Sequence, residues 1–150
     1  MSKKNIIIIS LILFLTGCGF SPIYYNNNNV NFSIEKVDYT GDRELNNFLR
    51  INLDKYKNKE VGNKIFIKAQ SKYEKNILSK DSTGKVTSYK LEAQVTFLVK
   101  SNNKTIKITE KKIIDSMDDK FEEARLEKSV KQSFASSISS KLLSELTIDQ

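Results

Sequence analysis

The sequence contains no histidine and no tryptophan, and it has only one cysteine and one proline. Without histidine, the chain cannot assemble the Ser-His-Asp and Cys-His groups that activate many catalytic nucleophiles. The lack of histidine and of a second cysteine also removes the usual ligands of a zinc site. A single cysteine cannot form an intramolecular disulfide. The composition therefore predicts neither a metal site nor a nucleophilic catalytic site.

Carboxylate chemistry remains open, because aspartate and glutamate can act as general acids or bases without histidine. The local acidic groupings near predicted turns are Asp81, Asp118, Asp119, Glu122 and Glu123. Each occurs where a turn or the start of a helix is expected, and carboxylates there commonly accept hydrogen bonds from free backbone N–H groups. We interpret them as structural and predict that the protein is not an enzyme. A cell-wall hydrolase that uses Asp or Glu is the alternative they leave open.

Arginine is also scarce, since only Arg43, Arg50 and Arg125 stand among the 25 basic residues. The formal net charge of +7 could indicate an anionic partner such as nucleic acid, a membrane surface or a phosphorylated lipid. Recognition of planar phosphate arrangements favours arginine over lysine. We therefore attribute most of the charge to a lysine-rich composition and predict no nucleic-acid partner.

One long apolar run is present, from Ile6 to Leu15, and it follows two lysines near the start of the chain. This pattern predicts an export signal, and it is shorter than the ~20 residues that span a bilayer. The run ends in Leu15-Thr16-Gly17-Cys18, which resembles the lipobox of bacterial lipoproteins. In a lipobox the chain is cut before the cysteine, the thiol receives diacylglycerol, and the new amine is usually acylated.

The resemblance predicts a signal peptide over residues 1–17 and covalent diacylglycerol and N-acyl chains on Cys18. An ordinary secretory signal, or a membrane helix with an incidental cysteine, is the alternative. Residues 18–31 include Pro22 and four consecutive asparagines without an apolar period, which predicts a lipidated tether. Residues 32–150 are long enough for one domain with a single core. Each buried methylene of the lipid would add ~0.8 kcal/mol of membrane affinity.

Hydrophobic periodicity divides residues 32–150 into strand, helix, three strands and helix. The predicted strands cover residues 32–39, 64–78, 85–100 and 104–116, and the third alternates most clearly. The predicted helices carry two apolar stripes: Leu45, Phe48, Leu49, Leu53 and Tyr56 in the first, and Phe121, Leu126, Val130, Phe134, Ile138 and Leu142 in the second. This order predicts an α+β two-layer sandwich, with two helices on one face of a mostly antiparallel four-stranded sheet.

The second and third strands are longer than the usual five or six residues, and they contain few apolar residues near the turn that joins them. We therefore expect a long hairpin that projects beyond the core, with Gly84 free to adopt a positive φ in the turn. Five lysines follow its outer part against three acids, which predicts a net positive projection: Lys72, Lys75, Lys80, Lys85 and Lys90 against Glu74, Asp81 and Glu92.

The stretch Cys18-Gly19-Phe20-Ser21-Pro22-Ile23-Tyr24 resembles the Cys-Gly-Phe-x-Pro-Leu-Tyr opening of the LptE family, lipoproteins of lipopolysaccharide assembly in Gram-negative outer membranes. The order of elements is similar to that of the family. Residues 83–91 resemble the return strand of its hairpin, and Phe121-Glu122-Glu123-Ala124-Arg125 resembles the start of its last helix.

Membership would imply a non-catalytic role in lipopolysaccharide transport and assembly, with the chain lipid-anchored on the periplasmic side of the outer membrane. The resemblance implies a plug and partner of the LptD β-barrel that also binds lipopolysaccharide, through positions matching Lys80, Lys85 and Arg125. A solvated hairpin end, where lysines prevent edge-to-edge pairing, is the alternative for the lysines. A structural or adaptor lipoprotein of another outer-membrane assembly machine is the alternative function, because fold does not fix function.

Overall fold

The computed structural model describes residues 32–57 and 62–148, and the predicted signal peptide, Cys18 and the tether lie outside the described residues. The described elements follow the predicted order. They are β1 (Phe32–Gly41), α1 (Arg43–Leu53) with a 3-10 turn (Asp54–Tyr56), β2 (Asn63–Lys80), β3 (Val86–Val99), β4 (Lys104–Asp115) and α2 (Lys120–Ile148).

The four strands form one sheet in the order β1-β2-β3-β4. β1 pairs with β2 in parallel, whereas β2–β3 and β3–β4 are antiparallel. Parallel neighbours need a crossover between them, and α1 lies in that connection. Both helices pack against the same side of the sheet, so the predicted α+β sandwich is confirmed.

The core lies between the sheet and the helices. Alternate residues of β3 face the helices and are buried, as are residues of α2 at helical spacing. Phe97 on β3 and Phe134 on α2 are both buried, as their positions in the two apolar patterns predict. Burying such a side chain contributes about 1.5–3 kcal/mol.

The corner between β1 and α1 depends on Gly41 and Asp42. Gly41 has φ of 96°, and a Cβ at this position would overlap the carbonyl oxygen of Ser71 on β2. Asp42 then caps α1, because its Oδ1 accepts a hydrogen bond of 2.7 Å from the backbone N–H of Leu45.

One residue of the predicted second stripe is not in the core. Phe121 is 70 % exposed, because the first turns of α2 direct Glu123 towards the sheet instead. At ~100° per residue, Phe121 lies about 200° around the helix from Glu123. The interpretation of Phe121 as a core residue is therefore wrong, whereas Val130 onwards follows the predicted stripe.

The hairpin of β2 and β3 extends well past the first strand. β1 ends where Gly41 pairs with Ser71, while β2 continues to Lys80. On the other side β4 accompanies β3 as far as the pair Ser88–Asp115, so most of the extension has three strands. In the part of the chain that the structure describes, no helix has the length and apolarity needed to cross a membrane.

Candidate functional site

The turn at the end of the hairpin is organised by Asp81. Its Oδ1 accepts hydrogen bonds from the hydroxyl of Thr83 at 2.6 Å, the backbone N–H of Thr83 at 2.8 Å and that of Lys85 at 3.0 Å. These bonds, that of the Thr83 hydroxyl first, lower the pKa of Asp81. Gly84 completes the turn with φ of 87°. Asp81 therefore holds the two flanking lysines in a defined loop.

Lys80 and Lys85 lie at the two ends of this turn. The Nζ of Lys85 is 2.7 Å from Oδ1 of Asp118, just before α2, and this exposed pair raises the pKa of Lys85. Lys80 is exposed and forms no salt bridge with any residue in the ranges 32–57 and 62–148. Of these two lysines, only Lys80 therefore carries a positive charge that no carboxylate of the described residues pairs with.

Arg125 is not brought into contact with these lysines. It lies in the second turn of α2, where its Nη1 donates to Oε1 of Glu122 at 2.9 Å. Phe121 precedes it by four residues, so the two side chains share one outward face of the helix. The link between the hairpin turn and the start of α2 is made by Lys85 and Asp118 instead.

Apolar side chains are exposed at the same end of the molecule. Ile77 and Leu78 on β2 are 55 % and 50 % exposed, and Ile113 on β4 and Phe121 on α2 are also exposed. Single exposed apolar residues are ordinary, but a group of them with polar neighbours is typical of an interaction site. We call Ile77, Leu78, Lys80 and Lys85 the tip surface.

Lys75 does not belong to the exposed row of lysines that the sequence predicts. Its Nζ lies between α2 and the hairpin, 3.0 Å from Oε1 of Glu123 and 2.9 Å from Oε2 of Glu127. It also lies 4.3 Å from the ring centroid of Tyr89. Lys75 is two residues from Tyr73 on β2, so both side chains lie on the face of the sheet that is covered by the helices. This spacing could have shown from the sequence that Lys75 is not on the open face.

Glu123 is the centre of this buried charge network, with 4 % of its surface exposed. Its Oε2 accepts bonds of 2.9 Å from both Lys120 Nζ and the backbone N–H of Met117. The bond from Lys120 contributes most to lowering the pKa of Glu123 to about 2, burial opposes it, and Met117 and Lys75 add to it. The carboxylate therefore fastens the start of α2 to the hairpin.

The network continues towards α1. Tyr73 donates its hydroxyl to Oε1 of Glu127 at 3.0 Å, and the Nζ of Lys131 lies 4.0 Å from the centroid of the Tyr73 ring. Lys131 in turn is 2.8 Å from Oε2 of Glu44. A continuous polar path thus joins the hairpin, α2 and α1 across the helix-facing side of the sheet.

The carboxylates of α2 change the predicted charge of the hairpin. Lys75 is paired with Glu123 and Glu127 of α2 and Lys85 with Asp118 just before this helix, while the exposed Lys72 pairs with Glu74 and Lys90 with Glu92. The predicted net positive projection counted only the acids of the hairpin itself, and acids outside the hairpin pair with two of its lysines. Lys80 remains as an unpaired cation of the tip surface.

The sheet face opposite the helices is hydrophilic. It is not covered by any element in the described ranges, and it presents mainly Lys, Glu, Gln and Thr side chains. Its members include Lys68, Gln70, Lys72, Glu74, Gln94, Thr96, Lys107 and Thr109. Within residues 32–57 and 62–148, no group of three or more acidic side chains is placed to hold a metal ion.

No protein-family model matches the sequence, and no curated protein sequence matches it. Among solved structures, rare lipoprotein B from Shewanella oneidensis is similar at 17 % identity, over 73 % of this chain and 92 % of that chain, with a TM-score of 0.55. An uncharacterized lipoprotein B from Nitrosomonas europaea is similar at 15 % identity, over 80 % and 87 %, with a TM-score of 0.55. A minor lipoprotein from Acinetobacter baumannii follows at 13 % identity, over 77 % and 94 %, with a TM-score of 0.51. The chain therefore has a fold that is shared with bacterial lipoproteins.

Proposed function

We propose that this chain is an LptE-like lipoprotein of lipopolysaccharide transport and assembly. It is anchored through acyl chains on Cys18 at the periplasmic side of the outer membrane, binds lipopolysaccharide, and acts as plug and partner of an LptD-like β-barrel. The role is non-catalytic and uses no cofactor besides the covalent lipid. The fold shared with bacterial lipoproteins and the resemblance of residues 18–24 to the LptE opening support it.

The observation that carries this proposal is the tip surface, where an unpaired cation adjoins exposed apolar side chains. Lipopolysaccharide carries phosphates and acyl chains within one molecule, so a surface that binds it needs both kinds of group. Lys80 can meet a phosphate as a point charge. Ile77 and Leu78, both at least half exposed, can contact acyl chains or the wall of a barrel.

The plug role is supported by the open face of the sheet. A protein enclosed by a barrel meets a polar lumen, and the side chains on this face are largely charged or polar. The helices cover the other face of the sheet, so the packed core between sheet and helices supports the strands that carry this hydrophilic surface.

Lipopolysaccharide binding by single-residue variants tests the proposed ligand. Lys80→Asp should weaken binding about tenfold or more, since a charge-assisted contact contributes about 1.5–3 kcal/mol. Asp118→Asn should strengthen binding, because it releases Lys85 from its partner at 2.7 Å. Lys107→Asp is the matched control, because this exposed lysine lies near the opposite end of β4.

Circular dichroism shows whether each variant is folded, and the binding of the wild type should fall as salt rises. Unchanged binding by folded Lys80→Asp and by the double variant Lys80→Asp with Lys85→Asp would contradict a binding role of the tip surface. Arg125→Asp is measured separately, because Arg125 is not in contact with the turn.

Gentle detergent extraction tests the proposed partner. A β-barrel should co-purify with the chain at equal stoichiometry. Metabolic labelling with a fatty acid tests the lipid anchor, and Cys18→Ala should abolish incorporation of the label. Label retained on Cys18→Ala would exclude the lipid anchor at this residue. Recovery of a different assembly, without a large barrel, would favour the adaptor role over the plug role.

A further inference from the structure

Two of the three arginines of the chain, Arg43 and Arg50, flank one hollow. It has a volume of about 340 Å³ and lies between the end of β1, at Tyr39–Gly41, and the α1 side chains Arg43, Asn46, Asn47 and Arg50. The hollow is remote from the tip surface. Lys80 lies nine positions along β2 from Ser71, the partner of Gly41, which corresponds to about 30 Å.

Arg43 and Arg50 both line the hollow. Arg43 and Arg50 are seven residues apart, so they share one side of α1 two turns from each other. Asn46 and Asn47 lie on the turn between them. The guanidinium of Arg50 is 5.3 Å from the centroid of the Tyr39 ring, which turns it towards the hollow.

Neither arginine forms a salt bridge with any residue that the structure describes, although acids are near. Asp42 is used as the cap of α1, Glu44 pairs with Lys131, and Asp54 pairs with Lys57. Arg125, the third arginine, pairs with Glu122. Within residues 32–57 and 62–148, the positive charge of the hollow thus has no carboxylate paired with it.

Two buried polar groups beside the arginines are also unmatched. Asn46 is only 6 % exposed, and its Nδ2 donates to the carbonyl oxygen of Thr40 at 3.1 Å. Its Oδ1 and the hydroxyl of Tyr39 have no hydrogen-bond partner among the described residues. Burial raises the pKa of Tyr39 far above its ordinary value, so the phenol stays a neutral donor. Unmatched buried polar groups of this kind are costly and rare in folded proteins.

We propose that this hollow binds a phosphate group that carries a hydroxyl group close by, as in a phosphorylated sugar. The forked guanidinium groups of Arg43 and Arg50 bind the phosphate oxygens, a geometry that lysine cannot reproduce. Oδ1 of Asn46 and the Tyr39 hydroxyl are both covered and, without a ligand, have no partner among the described residues, and small rotations of these side chains would let Oδ1 accept a hydrogen bond from the neighbouring hydroxyl and the phenol donate to a ligand oxygen. Nearly all other basic residues of the chain are lysines. The presence of two arginines in one hollow is therefore consistent with a ligand that needs the forked guanidinium group.

Amide chemical shifts of the isotope-labelled full chain in detergent provide the test. Glucose 1-phosphate should produce saturable shifts among residues 39–50, whereas glucose alone should not, and inorganic phosphate should bind more weakly. Arg43→Lys and Arg50→Lys keep the charge and lose the fork, so each should weaken binding about tenfold. Tyr39→Phe should weaken it less. Arg125→Lys, which alters the third arginine, should bind like the wild type.

Lipopolysaccharide in a separate titration distinguishes the source of the phosphate. Shifts of the same amides that disappear in Arg50→Lys would identify a lipid headgroup as the ligand, and shifts with the soluble sugar phosphate alone would identify a free metabolite. The proposal is overturned if neither ligand causes saturable shifts, or if both Arg→Lys variants bind as tightly as the wild type. Since Lys80→Asp leaves this hollow intact, failure at the tip surface and failure here are separate results.

Discussion

Replacing Glu123 by glutamine would break the buried network that joins the hairpin to α2. Glutamine has the same shape, but one carboxylate oxygen becomes an NH₂ group. Whichever oxygen it replaces, the NH₂ would face a donor: Lys75 on one side, or Met117 N–H and Lys120 on the other. The variant therefore keeps the packing of α2 and removes both the charge and part of the hydrogen bonding.

The expected loss follows from the pKa. The pKa of Glu123 falls from an ordinary 4.5 to about 2 in the folded chain, and this difference corresponds to about 3 kcal/mol at neutral pH. Since the folded-state pKa is the lower one, this stabilisation is complete above pH 4.5 and disappears as the pH falls towards 2. At pH 3 roughly 1 kcal/mol of it should remain. Glu127 still holds Lys75 in the variant, which places the loss at the lower end of the ~3–5 kcal/mol typical of a broken buried pair.

Urea denaturation followed by circular dichroism at pH 7 and pH 3 measures both numbers. Glu123→Gln should unfold about 3 kcal/mol more easily than the wild type at pH 7, and the gap should shrink to about 1 kcal/mol at pH 3. Glu122→Gln is the matched control, since this neighbouring carboxylate is exposed and its loss should change stability by under ~0.5 kcal/mol. A gap that is the same at both pH values would refute the assignment of the stabilisation to the ionised carboxylate.

Three further changes test the packing of the fold by the same denaturation assay. Phe97→Ala should cost ~3–5 kcal/mol because it empties the centre of the core, while Leu98→Ala, on the opposite face of β3, should cost clearly less; equal losses would contradict the assigned faces. Gly41→Ala should cost about 3 kcal/mol, because it combines a positive φ with a Cβ that overlaps the backbone of Ser71; wild-type stability would show that the corner can relax. Asp42→Ala should cost ~1 kcal/mol by removing the cap of α1, and no loss would mean that another group caps this helix.

The layout of the fold was predictable because each element carries a clear period. The alternation of β3 and the helical spacing from Val130 to Leu146 reflect burial on one face, which the sequence records directly. Phe121 was misassigned because hydrophobicity alone does not show that a charged residue, Glu123, takes the inward position. Glu123 has local partners in Met117 and Lys120, but its partner Lys75 is on a distant strand and is known only once the sheet is assembled.

The candidate sites were predictable to different degrees. Lys80 and Lys85 were assigned as candidates by the resemblance to the LptE family and by the count of lysines along the predicted hairpin. The partner of Lys85 was missed, because Asp118 and Lys85 are distant in sequence and adjacent only through the pairing of β3 with β4. The hollow at Arg43 and Arg50 was missed as a site. The scarcity of arginine was visible, but the burial of Asn46 depends on the corner at Gly41.

The ion pairs at the start of α2 differ in burial, and this difference determines which of them can open while the fold stays intact. Among the contacts described here, the first two turns of α2 are held mostly by polar groups: the buried Glu123–Lys75 contact and the exposed Asp118–Lys85 pair. Salt screens exposed pairs far more than buried ones. The start of the helix therefore stays docked on the hairpin under conditions that release Lys85 from Asp118. A ligand phosphate bound as proposed would compete with Asp118 in the same way, so Lys85 could change partners without unfolding any element, and we predict that binding at the tip leaves the contacts of Glu123 unchanged.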